Sequence, residues 1–599
     1  QSREEVSVLG VLRCSVMDRP RTRARTRVQF AEQPASLLDL PPELIVHVLR
    51  ECTARDLCLV RAVAGSFAKV YVPSAVCERS LLLGYAAPSR FRGETDLRAL
   101  RFIELVAERR RTTLSADTCH TVCISPHEDG VVYSWGGHER YPEQDADEDE
   151  DDPSAPSSDE PRVCLSHLGL GRHAGPRVGA PARMVGLPPG VRIREVAAGY
   201  EHTLLLSACG HVYSCGMGEH GRLGHGEDRH PQKGFHDYAR PRRIEFSFCR
   251  RFTHERSDVY DVHGASVPPY ILAACLLMGP TRTHIVRPLE RVMQVAAGGF
   301  QSCCITTDGR VWTWGWGEMG ALGHGHRWHV ATPTTVAAFV DEQVRVVQAT
   351  AGSCHTLFVT DDGLLYACGD HRDGKLGLGQ LRSEVLWPAV VRFPRKGTRV
   401  RQASAWHAHS LVVTTTDALY SFGNGANGRL GHGDLLPSHR PQRVRAFSAI
   451  RVLYAAAGEQ HSCILTCCGQ VYTFGDPDFG QLGQLGQLGQ LGYQTGWHHP
   501  AVVDLPLSEP VRSTACEVAT GDYHTIIRLE SGALYAFGKN TEGQLGLTAA
   551  TYPWRHLPAV PFPSKIEWPS GSASATAPQP LPDVDALQQG GEAPSLPNH

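Results

Sequence analysis

Six histidines recur in one local context along this 599-residue chain: His120, His202, His355, His409, His461 and His524, with Gln301 in the same place once. Imidazole is the side chain best suited to acid–base work near neutral pH, and it also ligates metals. Each of the seven is followed by Thr or Ser, and five of them follow a Gly by three positions; Asp117 and Trp406 take that place in the other two. Seven copies of one pattern argue against seven active sites. Gln301 can replace a hydrogen-bonding ring but not an acid–base one. We therefore read the series as buried side chains that hydrogen-bond backbone across repeating units. Cys119-His120 with Cys123 has metal-ligating residue types, yet the same His-Thr recurs elsewhere without cysteines, so packing is the expected role. No two CxxC pairs stand at zinc-ribbon spacing, and no nucleophile elbow, phosphate loop, dinucleotide fingerprint or zincin motif occurs. The expectation is a binding protein with no catalytic residue, cofactor or metal.

The elements that carry these residues are legible as internal repeats. A second signature, aromatic–small–(Trp, Phe or Cys)–Gly, ends at Gly136, Gly216, Gly315, Gly369, Gly423, Gly475 and Gly538. A third is a Leu-Gly pair at 168, 223, 322, 376, 430, 482 and 545. Between the first two lie alternating apolar residues around turns such as Asp308-Gly309 and Asp362-Gly363, the pattern of a β-hairpin. In the second strand of each hairpin, side chains two apart share a face, so Tyr420 and Phe422 or Trp312 and Trp314 point together while Ser421 or Thr313 points away. A large face against a small one suits stacked sheets. The turn at Leu-Gly is expected to let its Leu plug the gap to the next unit. Successive positions of the histidine series lie 82, 99, 54, 54, 52 and 63 residues apart, a basic unit of about 50.

These three signatures resemble the repeats of the regulator of chromosome condensation family over residues 115–563. The resemblance implies an all-β fold, a seven-bladed β-propeller. The long spacings mark insertions. Residues 143–160 carry ten carboxylates in eighteen residues and should form a solvated, disordered loop. Residues 232–290 lack the signatures and read either as an elaborated loop or as translated non-coding sequence. Residues 480–492 read GQLGQLGQLGQLG, a tandem expansion of a single Leu-Gly turn. Residues 564–599, rich in Pro, Ser and Ala, are expected to be a disordered tail.

Ahead of the repeats, residues 1–35 form a basic arm, with five arginines in 19–27, fit for nuclear targeting or phosphate contact. The chain opens on Gln1, and Met17 offers an alternative start. Residues 36–84 resemble an F-box: Leu40, Pro41, Glu43, Leu44, Ile45, Leu49, Asp56, Leu57, Val63 and Phe67 match its Leu-Pro-x-Glu start and amphipathic helices, with Phe67 where Trp is common. A helical cap packed on the propeller is the competing reading of this segment. Residues 85–114 should be a helical linker.

Composition narrows the partners. With 59 Lys and Arg against 62 Asp and Glu the net charge is −3, which argues against a dedicated nucleic-acid binder and gives no attraction to anionic membranes. The longest apolar run, 270–278, is too short to span a bilayer. A soluble cytoplasmic or nuclear protein is expected, with its cysteines in apolar runs such as 302–305 and 462–468 acting as small buried hydrophobes. The F-box resemblance implies a substrate-recognition subunit of a ubiquitin ligase, with a Skp-type adaptor and a protein target as partners. The propeller resemblance implies, alternatively, nucleotide exchange on a Ran-like GTPase. Ultraviolet sensing, known for a plant receptor with this propeller, would need Gly-Trp-Arg-His-Thr repeats. Those positions read Gly-Tyr-Glu-His from Gly199, Gly-Ser-Cys-His from Gly352 and Gly-Glu-Gln-His from Gly458.

Overall fold

The computed structural model describes Leu49, Ser74–Val76 and residues 111–569, the latter with gaps at 138–165, 172–177, 227–228, 231–233, 236–237, 247–290, 380–383, 485–496, 506–513 and 548–557. Seven four-stranded antiparallel sheets follow one another along the chain. In blade 1 these are β1 (Leu114–Ala116), β2 (His120–Ile124), β3 (Val132–Gly136) and β4 (Val178–Arg183). Blades 2 to 7 run from Ile193 to Arg243, Val292 to Thr335, Val346 to Val390, Val400 to Arg443, Val452 to Val502 and Ala515 to Ile566. Every blade draws its four strands from one continuous segment, so the ring closes where β1 lies beside the first strand of blade 7, Ala515–Thr520.

The hairpin expected between the first two signatures is present with one register throughout. His120 pairs with Gly136, His202 with Gly216, Gln301 with Gly315, His355 with Gly369, His409 with Gly423, His461 with Gly475 and His524 with Gly538. The glycine is demanded at this pair. At Gly369 φ is +110°, and a Cβ would stand 2.5 Å from the Cys354 carbonyl oxygen.

The hydrophobic core is a set of layers between adjacent blades. In the layer between blades 4 and 5, Tyr420 and Phe422 meet Ala367, Leu357 and the plug Leu376. Equivalent layers join every adjacent pair, including blade 7 with blade 1 through Trp135, Ile526, Ala536 and Leu545.

Several boundaries differ from the sequence reading. The propeller begins at Leu114 and extends to Ile566, with Trp568 packed against the last core layer, because the outer strand of blade 7 needs eight residues to cover its neighbour. Strand Tyr238–Arg243, placed in the second insertion by the sequence, is the outer strand of blade 2. Its alternation of Arg and Pro suits an exposed edge and hides it from an apolar-pattern search. Cys467 and Cys468 are exposed at a hairpin turn, whereas Cys303, Cys304 and Cys463 are buried. Of the F-box-like residues only Leu49 is among those described; it is helical and fully buried. Leu40, Pro41, Leu44, Ile45, Leu57, Val63 and Phe67 lie outside the described residues, as do 143–160 and most of 564–599. Among the described residues no helix is long and apolar enough to cross a membrane.

Candidate interaction face

The repeating histidines sit where the second strand of each blade begins, and all six are fully buried. Their Nε2 atoms bridge to the hydroxyl that follows the histidine position in the next blade. His120 reaches Thr203 (3.1 Å), His202 Ser302 (2.9 Å), His355 Ser410 (3.1 Å), His409 Ser462 (2.9 Å), His461 Thr525 (2.9 Å) and His524 Thr121 (3.2 Å). Each hydroxyl donates in turn to a backbone carbonyl of the preceding blade, as Ser410 does to Lys375 (2.8 Å). The hydroxyl proton is thereby committed, so the imidazole must be the donor through Nε2–H; the ring as a whole stays neutral. Burial enforces this, pulling His202, His355, His461 and His524 down to about 3 and His120 and His409 well below the ordinary range. The partner is a hydroxyl rather than the backbone expected from sequence. Gln301 bonds the backbone, donating to the Gly352 carbonyl at 3.0 Å, and His202 adds an Nδ1 contact to the Tyr200 carbonyl at 3.3 Å. The circuit passes from blade 7 back to blade 1 and consumes the groups that could have done acid–base chemistry.

The small residue of the second signature also has a task that its size alone does not reveal. Ser134, Ser214, Thr313, Ser421 and Thr473 donate to the carbonyl of their own blade's plug leucine at 2.6 to 2.8 Å. In blades 2, 4 and 5 a cation precedes that leucine, and Arg222, Lys375 and Arg429 are all buried. Arg222 and Arg429 turn toward a loop that joins the first two strands of a blade, donating to the Tyr200 and Glu459 carbonyls, whereas Lys375 donates to Asp370, just past the third strand of its own blade, at 2.7 Å. Sequence reading missed these cations; their recurrence directly before Leu-Gly is the signal that could have found them.

Two of the departures from the first signature, Asp117 and Trp406, lie at the inner rim, where the first strands end. Trp406 of blade 5 donates its Nε1–H to Asp522 of blade 7 at 2.7 Å, bridging over blade 6. Burial, and then the charge of Glu459, hold Asp522 up at about 6. Asp117 is fully buried and raised well above the carboxylate range by burial and by Asp522. Around this rim stand Tyr200, Phe300 and Trp316 in edge-wise contact, with the Arg222 guanidinium 4.9 Å from the Phe300 ring. The opposite end of the ring opens into a cavity of about 550 Å³ between the first strands, reached by Arg399 and Arg401. Cys123 takes no part beside Cys119 and His120; its sulfur meets the Arg528 guanidinium at 2.7 Å.

Known proteins share this architecture. The profile of the RCC1-like domain matches residues 272–585, more than half of the chain. Two profiles of the regulator of chromosome condensation (RCC1) repeat match 209–254 and 193–222. The ultraviolet-B receptor UVR8 of Arabidopsis thaliana is 30% identical over 359 residues, which cover 60% of this chain and 68% of the receptor. The human E3 ubiquitin-protein ligase HERC2 is 33% identical over 294 residues, 49% of this chain but 5% of the ligase. The chain therefore spans a small fraction of that relative. Among solved structures, human WBSCR16 aligns with a TM-score of 0.50 at 22% identity, covering 68% of this chain and 93% of that one. Yeast RCC1 (Prp20), solved with Kap60, gives 0.50 at 23%, covering 67% and 81%. At these identities the two structures speak to the fold. Seven blades, the repeated signatures and the profile match agree: the chain belongs to the RCC1-like domain family.

Proposed function

We propose that the chain is a substrate-recognition subunit of an F-box-type ubiquitin ligase, acting in the cytoplasm or nucleus, in which residues 36–84 dock a Skp-type adaptor and a propeller face holds the target. The observation that carries the reading is the Leu40-Pro41-Pro42-Glu43 start and the apolar stripe of Leu44, Ile45, Val48 and Leu49 ahead of the propeller. The propeller supports it, because its repeating polar residues are spent on internal bonds while its loops remain for recognition. A ligase among the relatives points to the same class. Removing residues 36–84 should abolish co-purification of a Skp-type protein while the propeller keeps its cooperative melt. Equal recovery without the segment would sink the proposal.

A second reading is supported by the RCC1 repeat profiles over 193–254: nucleotide exchange on a Ran-like GTPase. Stopped-flow release of a fluorescent nucleotide tests it, and no acceleration at micromolar propeller would exclude it.

A further inference from the structure

Blade 1 combines two side chains that no sibling has together. Cys119 precedes its repeating histidine, and His167 precedes its Leu-Gly, where the other blades carry Arg222, Ala321, Lys375, Arg429, Gln481 and Gln544. Folding brings both beside His120. One donor atom of each of Cys119, His120 and His167 lies within 4.8 Å of the other two. The three side chains are 3%, 0% and 0% exposed. Cys119 Sγ stands 3.9 Å from His167 Nε2, and the two imidazole centroids are 4.7 Å apart. His120 Nε2 is engaged by Thr203, while its Nδ1 has no hydrogen-bond partner. Several sibling histidines share that unpaired Nδ1, and blade 4 also has the cysteine, Cys354, but with Lys375 where blade 1 has His167, so the pairing of Cys119 with His167 is what sets this blade apart. Asp117 is also fully buried with Oδ2 unpaired. After burial, its charge is the leading influence raising the Cys119 thiol.

We infer that Cys119, His120 and His167 form a buried binding site for a borderline-soft divalent ion of the zinc class. A thiolate and two imidazoles suit such ions, whereas calcium and magnesium take oxygen. Tetrahedral zinc sets its sulfur and nitrogen donors roughly 3.5 Å apart, so the Sγ–Nε2 pair has only a small distance to close. With Nε2 held by the Thr203 hydroxyl, His120 would ligate through its unpartnered Nδ1, so that one ring N–H keeps an outer partner as in metal-bound histidines. Three protein ligands leave the fourth position to a carboxylate or water. On binding, the Cys119 S–H bond breaks, a sulfur–metal bond forms and the proton leaves to solvent, so affinity falls as pH falls.

The test uses the whole chain, stripped with a chelator and titrated with Co²⁺ alone. About one equivalent should bind with a thiolate-to-cobalt charge-transfer band, and Zn²⁺ should displace it. Cys119→Ser and His167→Gln should each abolish the band. Cys354→Ser, at the matching position of blade 4, should retain it. His120→Gln, a residue that blade 3 already carries as Gln301, should weaken binding by roughly tenfold or more. Should Cys119→Ser fail to fold, His167→Gln decides. No thiolate band in the wild type, or an undiminished band in Cys119→Ser or His167→Gln, overturns the site.

Discussion

At the scale of single residues, the neutral histidine circuit couples stability to pH. Each of the six rings has a folded pKa below its unfolded value of 6.5, four of them at about 3. Below the unfolded pKa the unfolded chain binds protons that the native state refuses. The stability these groups contribute is therefore present above 6.5 and lost as pH falls, by up to about 1.4 kcal/mol per unit for each ring. Asp522, raised from 3.8 to about 6, acts oppositely between those values, and so do the other buried carboxylates raised by desolvation, Asp117, Asp476 and Glu517, but they are fewer than the six rings. Urea midpoints measured from about pH 7.5 down to about pH 5 should decline steadily and more steeply as protons accumulate. A flat profile would contradict the buried neutral rings. The paired glycines offer a second check. Gly369→Ala places a Cβ 2.5 Å from a carbonyl oxygen at φ +110°, while Gly190, at φ +79°, has nothing within 4 Å. The first change should cost well over about 2 kcal/mol, the second about 1, as read from denaturant unfolding.

At the scale of the element, the tandem Gly-Gln-Leu run separates required turn from added length. Leu482 is 2% exposed in the plug position, and its carbonyl accepts from Thr473. Gln484 donates to the same Thr473 hydroxyl, where blades 2, 3 and 5 use His225, His324 and His432. Residues 480–484 thus satisfy every role that the sibling turns fill. Removing 485–492, which keeps Gln484 and Tyr493, should leave the melting temperature unchanged or slightly higher, because closure entropy varies by only about 0.6 kcal/mol per doubling of loop length. Leu482→Ala should cost about 3 kcal/mol. A large loss on deletion would show the extra triplets to be packed structure.

At the scale of the whole molecule, stability depends on the seam that closes the ring. Gln294, Gln348 and Gln402 each clasp the next blade's first strand, accepting from one backbone N–H and donating to the same residue's carbonyl, as Gln348 does with Ala403. At the seam Glu517 takes this place, accepting from the N–H groups of Thr113 (2.7 Å) and Leu114 (3.1 Å). Glu517→Ala should destabilise the entire propeller by about 3 kcal/mol in one cooperative transition, since two buried donors lose their acceptor. Glu517→Gln should cost less than Glu517→Ala, because it keeps an acceptor for the two N–H groups while losing the ion pair with Arg528. Loss of blade 7 alone in a separate transition would show that the ring does not unfold as a unit.

The sequence by itself determined the repeat, the hairpin, the blade count and the opposition of large and small faces, because these depend on spacing and on residue size, which recur seven times. It also excluded an acid–base role for the histidines, since Gln301 stands among them. Only the tertiary structure decided their partners: a hydroxyl 53 to 100 residues away along the chain, or more than 400 at the seam, is adjacent only once blades stack. The same holds for His167, which lies 48 residues from Cys119 in sequence, and for Trp406, which meets Asp522 across the rim. Those contacts arise from closing a ring, and the order of residues in a repeat unit does not encode which non-repeating side chains its closure will bring together.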